Sequence, residues 1–329
     1  MISNNETNTD YEYPKFRFEL VYKDPVFDIS PHSARMAACY KDYAGTYHLF
    51  TDYIDAKLNT VASWQAEIFY YRSRDLLSWE YVSTAVEKGN SPDLPDSYGV
   101  ASPEILCFKD CLYLFYSARQ NPLNSNMGNP LAKPGETGYV STEIMYAKAL
   151  TDMNKSPISP FIKQGFAIKK EYDWESMRID DPCVVRDNKK LYMYYKGFCD
   201  NIDRNNLKLG FAEADINDMR FKKYGFSILE VHSGLEMPRV FRYKDKWIMF
   251  LRHFERQTGY SWRQYVSKDG IDWKMYDPYL FNCHGGIENS GAADIMIIKD
   301  ADNNFTGKVL ACNIDGNALK LWLYECKEI

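Results

Sequence analysis

The sequence predicts an all-β fold, a five-bladed β-propeller with four-stranded antiparallel blades. Five apolar, aromatic-rich runs recur along the 329 residues, and each follows a shorter apolar run and a turn that contains Lys, Asp, Asn or Gly. Helical periodicity is nearly absent from the chain. Strand units that repeat at periods of roughly 40 to 65 residues are typical of a propeller. Five hairpin units packed as two sandwiches are the alternative.

The five longer runs are the second strands of the predicted blades. They begin at Tyr47, Tyr113, Tyr192, Trp247 and Lys308. These starting points lie 66, 79, 55 and 61 residues apart, and five such units fill the chain. A hairpin turn precedes each run, and a third strand follows it. Two units share the pattern Ser-x-Asp-x-x-x-Trp before the outer strand, at Ser73–Trp79 and Ser267–Trp273.

The N-terminal segment completes the predicted ring. The last unit stops after its third strand, whereas Lys15–Tyr22 alternates polar and apolar residues as a solvated outer strand does. We expect this segment to supply the fourth strand of the last blade, because an open edge would invite aggregation. The predicted organisation is a flexible segment over residues 1–14 and a single propeller domain over residues 15–329.

Composition narrows the class of partner. The net charge of −5 and the pI near 5.7 give no reason to expect binding to nucleic acid or to an anionic membrane. No apolar run is long enough to span a bilayer. Aromatic residues make up 16% of the chain, which suits both strands and sugar-stacking surfaces. Most of these aromatic residues are expected in the β core, a carbohydrate is the partner expected from the acidic motifs described below, and the oligomeric state stays open.

Cysteine and histidine usage indicates neither a disulfide framework nor a metal site. The eight cysteines form no CxxC pair, and Cys39, Cys107, Cys183 and Cys312 fall in apolar strand runs, as buried free thiols do. Five scattered histidines predict no dedicated transition-metal site, and no cofactor is expected. The polar, acidic N-terminus is unlike a signal peptide, so we expect a cytoplasmic protein, or a secreted one if a signal has been trimmed.

Two acidic motifs stand at the starts of predicted first strands. They are Ile179-Asp-Asp181-Pro182 and Gly234-Leu-Glu236-Met-Pro238, and both precede an aromatic second strand. In a propeller these positions converge on one mouth with the ends of the second strands, which carry Asp52, Arg119, Lys196 and Arg252. Two acids that meet in this way suit glycosidic bond cleavage, which needs a protonated acid and a second carboxylate. Alternatively, the motifs are strand-initiating turns with solvated acids.

The motifs resemble the five-bladed propeller glycosidases of glycoside hydrolase family 43 and the related family 32. Asp181-Pro182 is similar to the Asp-Pro motif of their third blade, and Glu236-Met-Pro238 to the Glu-Gly-Pro or Glu-Cys-Pro motif of their fourth. Ala101-Ser-Pro-Glu104 resembles the Trp-Ala-Pro-Glu motif of blade two in family 43. The resemblance implies an inverting glycoside hydrolase, with Glu236 as general acid and Asp181 as the carboxylate that tunes its pKa.

The sequence departs from these families at blade one. There the families carry an Asp-Pro that supplies the base or nucleophile, whereas this chain has Pro31-His-Ser-Ala-Arg35-Met36. Asp28 is the preferred substitute, and Asp52 is the second candidate. If neither acid reaches the site, the chain is a diverged hydrolase, a phosphorylase- or transglycosylase-like relative, or a non-catalytic carbohydrate-binding propeller.

The remaining candidates would bind substrate. They are Glu104, Arg35, Arg119, Arg252 and His284. The arginines would suit a sugar that carries a carboxylate or sulfate, or they pair with Glu104, Asp181 and Glu236. His284 lies before the first strand of the last blade and either reaches the mouth or hydrogen-bonds a loop. Trp64, Trp174 and Trp262 are candidate sugar platforms, and the alternative for each is a place in the core.

Overall fold

The computed structural model describes residues 13–58, 65–121, 132–199, 206–229, 231–255, 259–278 and 294–329. Within these residues the regular structure consists of β-strands and two three-residue 3-10 turns, with no α-helix. None of the described segments is a helix long and apolar enough to cross a membrane. The predicted all-β class is confirmed.

The strands form five groups of four, each antiparallel within itself. The chain begins with β1 (Phe16–Leu20). Group 1 contains β2 (Ser33–Lys41), β3 (Tyr47–Ile54), β4 (Glu67–Ser73) and β5 (Glu80–Val86). Group 2 contains β6 (Gly99–Phe108), β7 (Cys111–Gln120), β8 (Ser141–Leu150) and β9 (Ile162–Ile168).

The second half of the chain repeats this order. Group 3 contains β10 (Arg178–Asp187), β11 (Lys190–Phe198), β12 (Lys208–Asp215) and β13 (Lys222–Lys223). Group 4 contains β14 (Gly234–Tyr243), β15 (Lys246–Glu255), β16 (Gly259–Ser267) and β17 (Lys274–Asp277). Group 5 contains β18 (Asp294–Asp300), β19 (Phe305–Asp315), β20 (Ala318–Glu328) and β1.

The N-terminal strand lies beside the last strand of the chain, as the sequence predicts. In the β1–β20 pair, Phe16 is opposite Glu328 and Leu20 is opposite Tyr324. Tyr13 and Pro14, the last two residues of the predicted flexible segment, contact group 4. The backbone oxygen of Tyr13 accepts a hydrogen bond from the Tyr276 hydroxyl, and that of Pro14 accepts one from Gln264.

The apolar core lies between the groups. Each of five large clusters of buried side chains joins two groups, in the order 1–2, 2–3, 3–4, 4–5 and 5–1. The cluster between groups 5 and 1 contains Leu321 and Leu49, both fully buried. Each group therefore shares buried side chains with two others. The four buried cysteines named above are free thiols, as predicted.

The repeated Ser-x-Asp-x-x-x-Trp pattern folds as the same turn in two groups. Ser73 Oγ accepts the backbone N–H of Leu76, and Asp75 accepts those of Leu77 and Ser78. These backbone hydrogen bonds lower the pKa of Asp75 to about 2. Ser267 and Asp269 make the matching bonds in group 4. The motif thus fixes the turn that leads into each outer strand.

Candidate functional site

The first strands of groups 1 to 4 each bulge near their start. In three of them the first bulged residue has a positive φ and the second is proline: Ser102-Pro103, Asp181-Pro182 and Met237-Pro238. The φ angles of these three residues are 51°, 53° and 54°, and a left-handed backbone costs a non-glycine residue about 1–2 kcal/mol. The corresponding bulge of β2 is Arg35-Met36. Each bulge redirects side chains at the same end of its group.

The register corrects the predicted equivalence of the two acidic motifs. Asp180 lies opposite Lys196 on β11, and Glu236 lies opposite Arg252 on β15, each directly before its bulge. Asp180 is therefore the counterpart of Glu236. Asp181 occupies the bulge itself, the position that Met237 takes in β14.

The Lys196 ammonium group joins three carboxylates from two adjacent groups. Its Nζ lies 2.8 Å from Asp181 Oδ2, 3.5 Å from Asp180 Oδ2 and 3.6 Å from Glu236 Oε2. All four side chains are largely buried. Asp181 is held further by the Ser102 hydroxyl, which donates to Oδ1 over 3.0 Å. The structure thus brings the two predicted acids, Asp181 and Glu236, to one ammonium group.

The charges around Lys196 shift the pKa of Asp180 and the pKa of Lys196 itself. Burial opposes the ionisation of Asp180, but the Lys196 and Arg119 cations outweigh it and hold the pKa of Asp180 below its usual range. Burial also disfavours the charged form of Lys196, yet the three carboxylates raise the pKa of its ammonium group. Three acids around one cation can hold a proton among them without leaving the cation unpaired.

A second set of charges continues from Glu236 toward group 5. Arg252 Nε lies 3.6 Å from Glu236 Oε1, and Arg252 also contacts the Asp294 carboxylate. The other Asp294 oxygen accepts a hydrogen bond from Arg35 Nε over 2.9 Å. The Tyr260 ring covers the Arg252 guanidinium, whose central carbon is 3.7 Å from the ring centroid. Although burial opposes ionisation, the two guanidinium groups hold the pKa of Asp294 below its usual value.

Asp52, the second candidate for the catalytic base, lies next to these charges. It is 3% exposed, and its Oδ1 accepts the backbone N–H of Ser102 over 2.9 Å. Burial raises the pKa of Asp52 to about 7, although Arg119 and Arg35 favour its charged form. We refer to these side chains together as the charged cluster: Arg35, Asp52, Arg119, Asp180, Asp181, Lys196, Glu236, Arg252 and Asp294.

Asp28, the preferred base from the sequence, lies outside the charged cluster. It is exposed, and its Oδ2 pairs with Lys320 Nζ at 2.9 Å, while Oδ1 accepts hydrogen bonds from Ser30. Partial burial opposes ionisation, but these bonds lower the pKa of Asp28. No described residue links Asp28 to Asp181 or Glu236.

Glu104 is also separate from the charged cluster. It follows the β6 bulge rather than preceding it, and it is 6% exposed. Its carboxylate pairs with the Lys299 ammonium, which also donates to the carbonyl oxygens of Ile105 and Val184. Glu104 thus forms a buried ion pair between groups 2 and 5, and its contact with substrate stays a prediction.

The remaining site residues predicted from the sequence lie in different surroundings. His284 and Trp64 lie outside the described residues. Trp262 is 1% exposed and belongs to the core between groups 4 and 5, so the prediction of a sugar platform was wrong there. Trp174 stacks on Tyr195 and covers Gly197, where a Cβ would lie 2.0 Å from the indole. Within the described parts of the chain, no three His, Cys, Asp or Glu residues are placed to bind a metal ion.

The sequence assigned no role to Lys196, Asp180 or Asp294 beyond their positions at strand ends. The signal for Lys196 is its alignment with Arg252, because both lie opposite the acid that precedes a bulge. Such a signal becomes readable only when the strand register is known.

Solved structures of glycoside hydrolases resemble this chain over nearly its whole length. A family 117 glycoside hydrolase produced by the marine bacterium Zobellia galactanivorans has a TM-score of 0.67 and 18% identity, and the match covers 95% of this chain and 90% of that chain. A thermostable family-43 glycoside hydrolase has a TM-score of 0.62 and 16% identity, with 93% and 92% covered. The endo-arabinase from Bacteroides thetaiotaomicron has a TM-score of 0.61 and 15% identity, with 92% and 97% covered.

These likenesses show the fold, which is that of the β-propeller glycoside hydrolases. The predicted resemblance to this class of protein is confirmed. No family profile and no curated protein sequence matches the chain.

Proposed function

We propose that this chain is a glycoside hydrolase that cleaves a glycosidic bond in an oligosaccharide or glycoside. The observation that carries the proposal is the contact of Lys196 with Asp181, Asp180 and Glu236, which gathers carboxylates from two groups around one cation. We further propose that the five groups are the blades of one propeller domain. Their cyclic packing and the β1–β20 pair support this architecture.

In the proposed mechanism Glu236 is the general acid that protonates the departing oxygen. Asp181 assists through the shared Lys196 ammonium, which lies 2.8 Å from Asp181 and 3.6 Å from Glu236. When a proton reaches Glu236, Lys196 keeps two carboxylate partners, so the ammonium group is never left unpaired. Little charge pairing is therefore lost when the general acid gains or releases its proton.

We propose Asp52 rather than Asp28 as the base. Asp52 belongs to the charged cluster, and its pKa of about 7 suits a group that must take a proton near neutral pH. Asp28 is instead paired with Lys320 at the surface. An inverting reaction requires a water molecule between acid and base, and carboxyl groups about 6.5–9.5 Å apart leave that space.

A panel of 4-nitrophenyl glycosides in both anomeric forms tests the proposal. We expect release of nitrophenol by the wild type and a loss of at least about a hundredfold in Glu236→Gln, which keeps the shape but cannot donate an acid proton. Asp52→Asn is expected to lose a similar factor, whereas Asp28→Asn is expected to retain activity.

Glu213→Gln is the matched control, because Glu213 pairs with Lys190 on the outer part of group 3. It should leave turnover within twofold of the wild type. A wild type that turns over no glycoside but binds glycans, with equal affinity in Glu236→Gln, would show a binding propeller instead. Turnover that depends on added phosphate would indicate a phosphorylase.

A further inference from the structure

The charged cluster is electrically polarised along its length. At one end the single Lys196 ammonium faces the carboxylates of Asp180, Asp181 and Glu236. At the other end two guanidinium groups, Arg35 and Arg252, share the single carboxylate of Asp294. The first end therefore carries an excess of acids, and the second carries an excess of cations.

Arg35 is the most open cation at the basic end. Its side chain is 37% exposed, compared with 8% for Arg252 and 14% for Lys196. The Arg252 guanidinium is covered by Tyr260 and flanked by Glu236. An incoming charged group at this end would therefore meet Arg35 first.

The orientation of Arg35 leaves a binding face available. Asp294 accepts a hydrogen bond from Nε of Arg35, which fixes the plane of the guanidinium from its side. Among the described residues, the terminal NH₂ groups of Arg35 hydrogen-bond no acceptor. Two parallel N–H donors held in a fixed plane match the oxygens of a carboxylate or sulfate group.

We propose that Arg35 is a subsite for an oxyanion on the substrate, so that the substrate is a glycoside whose sugar carries a carboxylate or sulfate group. This inference rests on the proposed hydrolase function. Asp294 and Arg252 lie between Arg35 and Glu236, and they separate the oxyanion subsite from the acid that would act on the glycosidic bond. A neutral sugar would leave the exposed guanidinium facing water.

Matched substrate pairs test the subsite. The 4-nitrophenyl glucuronides and galacturonides differ from the corresponding glucosides and galactosides only in the carboxylate at C6. For the sugar that the wild type accepts, we expect kcat/KM to favour the anionic member by about ten- to hundredfold, in line with charge-assisted hydrogen bonds. The 6-sulfate esters of the same glycosides extend the test to sulfate.

Variants of Arg35 test whether this residue causes the preference for anionic substrates. Arg35→Gln is expected to lose at least tenfold more activity on the anionic member than on the neutral one, and Arg35→Lys is expected to show a smaller difference. Arg72→Gln is the matched control, because Arg72 pairs with Glu80 on the outer strands of group 1. If Arg35→Gln fails to fold, Arg35→Lys and the loss of preference at high salt carry the test.

The results separate this inference from the hydrolase proposal. An equal rate on both members of every pair, or an equal loss on both in Arg35→Gln, would overturn the subsite and leave the hydrolase standing. Binding of the 4-nitrophenyl uronides to the wild type without release of nitrophenol, measured by calorimetry and lost in Arg35→Gln, would support the subsite and overturn the hydrolase.

Discussion

At the scale of single residues, burial and charge pairing decide which acids belong to the site. From the sequence, both Asp52 and Asp28 are candidates for the catalytic base, because neither stands in the expected Asp-Pro motif. The structure buries Asp52 beside Arg119 and Arg35 and leaves Asp28 exposed beside Lys320. The two carboxyl groups therefore have pKa values displaced in opposite directions, upward for Asp52 and downward for Asp28.

Asp52 should make the protein less stable as pH rises from about 4 to about 7. Its pKa is about 7 in the folded state and its ordinary value is 3.8, so between these values the folded protein binds a proton that the unfolded chain has lost. The unfolding free energy should fall by a few kcal/mol over this window, because each pKa unit is worth about 1.4 kcal/mol. Asp52→Asn removes the titrating group, so the stability of the variant relative to wild type should increase from pH 4 to pH 8.

Urea unfolding at fixed pH values measures this difference. Asp28→Asn is the control of opposite sign, since the lowered pKa of Asp28 contributes stability that is present at neutral pH and lost as pH falls. Parallel stability curves for wild type and Asp52→Asn would contradict the assigned burial of an ionisable carboxyl group.

At the scale of elements, bulges and turns use backbone conformations that most residues adopt only at a cost. The left-handed residues Ser102, Asp181 and Met237 recur at one point of three first strands. The hairpin turns show the same feature, since Lys244 and Asp245 between β14 and β15 have φ angles of 46° and 64°. The Lys244-Asp245 turn predicted from sequence is therefore a tight hairpin built without glycine.

Asp245→Gly should stabilise the β14–β15 hairpin. Asp245 is exposed, and glycine adopts a positive φ without the steric cost of a Cβ, which is about 1 kcal/mol. We expect a rise of that order in the unfolding free energy, measured by urea titration. Asp110→Gly in the β6–β7 turn is the matched control, because φ of Asp110 is not positive. An equal gain in both variants would contradict the explanation from backbone strain.

At the scale of the whole molecule, the N-terminal strand joins the two ends of the chain. Phe16 is 1% exposed and makes edge contacts with Phe241, Tyr243 and Phe250 of group 4. Its backbone meanwhile pairs with β20 in group 5. One residue near the start of the chain thus connects the last two groups and covers the edge of the last sheet.

Phe16→Ala should therefore destabilise the folded protein. We expect a loss of about 3–5 kcal/mol in the unfolding free energy, because a buried phenyl ring is replaced by a cavity. Phe226→Ala serves as the control, since Phe226 is 61% exposed and should lose much less. Thermal melts would reveal the difference as separate shifts in Tm. Similar shifts for both variants would show that β1 contributes little to closure.

The sequence by itself determined the strand class, the hairpin turns and the pairing of the N-terminal strand with the last strand, and it predicted five repeated units. Each of these depends on local pattern, spacing or chain length, which can be read from the sequence without knowing which distant residues meet. It also placed Asp181, Glu236 and Arg252 at strand ends that meet.

Only the tertiary structure decided the pairing of the charged side chains. Glu104 pairs with Lys299, Asp28 with Lys320, and Arg35 with Asp294, across separations that no local pattern specifies. The bulges shift the register by one residue, and such a shift reverses the face on which a side chain lies. The counterpart of Glu236 is Asp180, because each of them lies directly before the bulge of its strand.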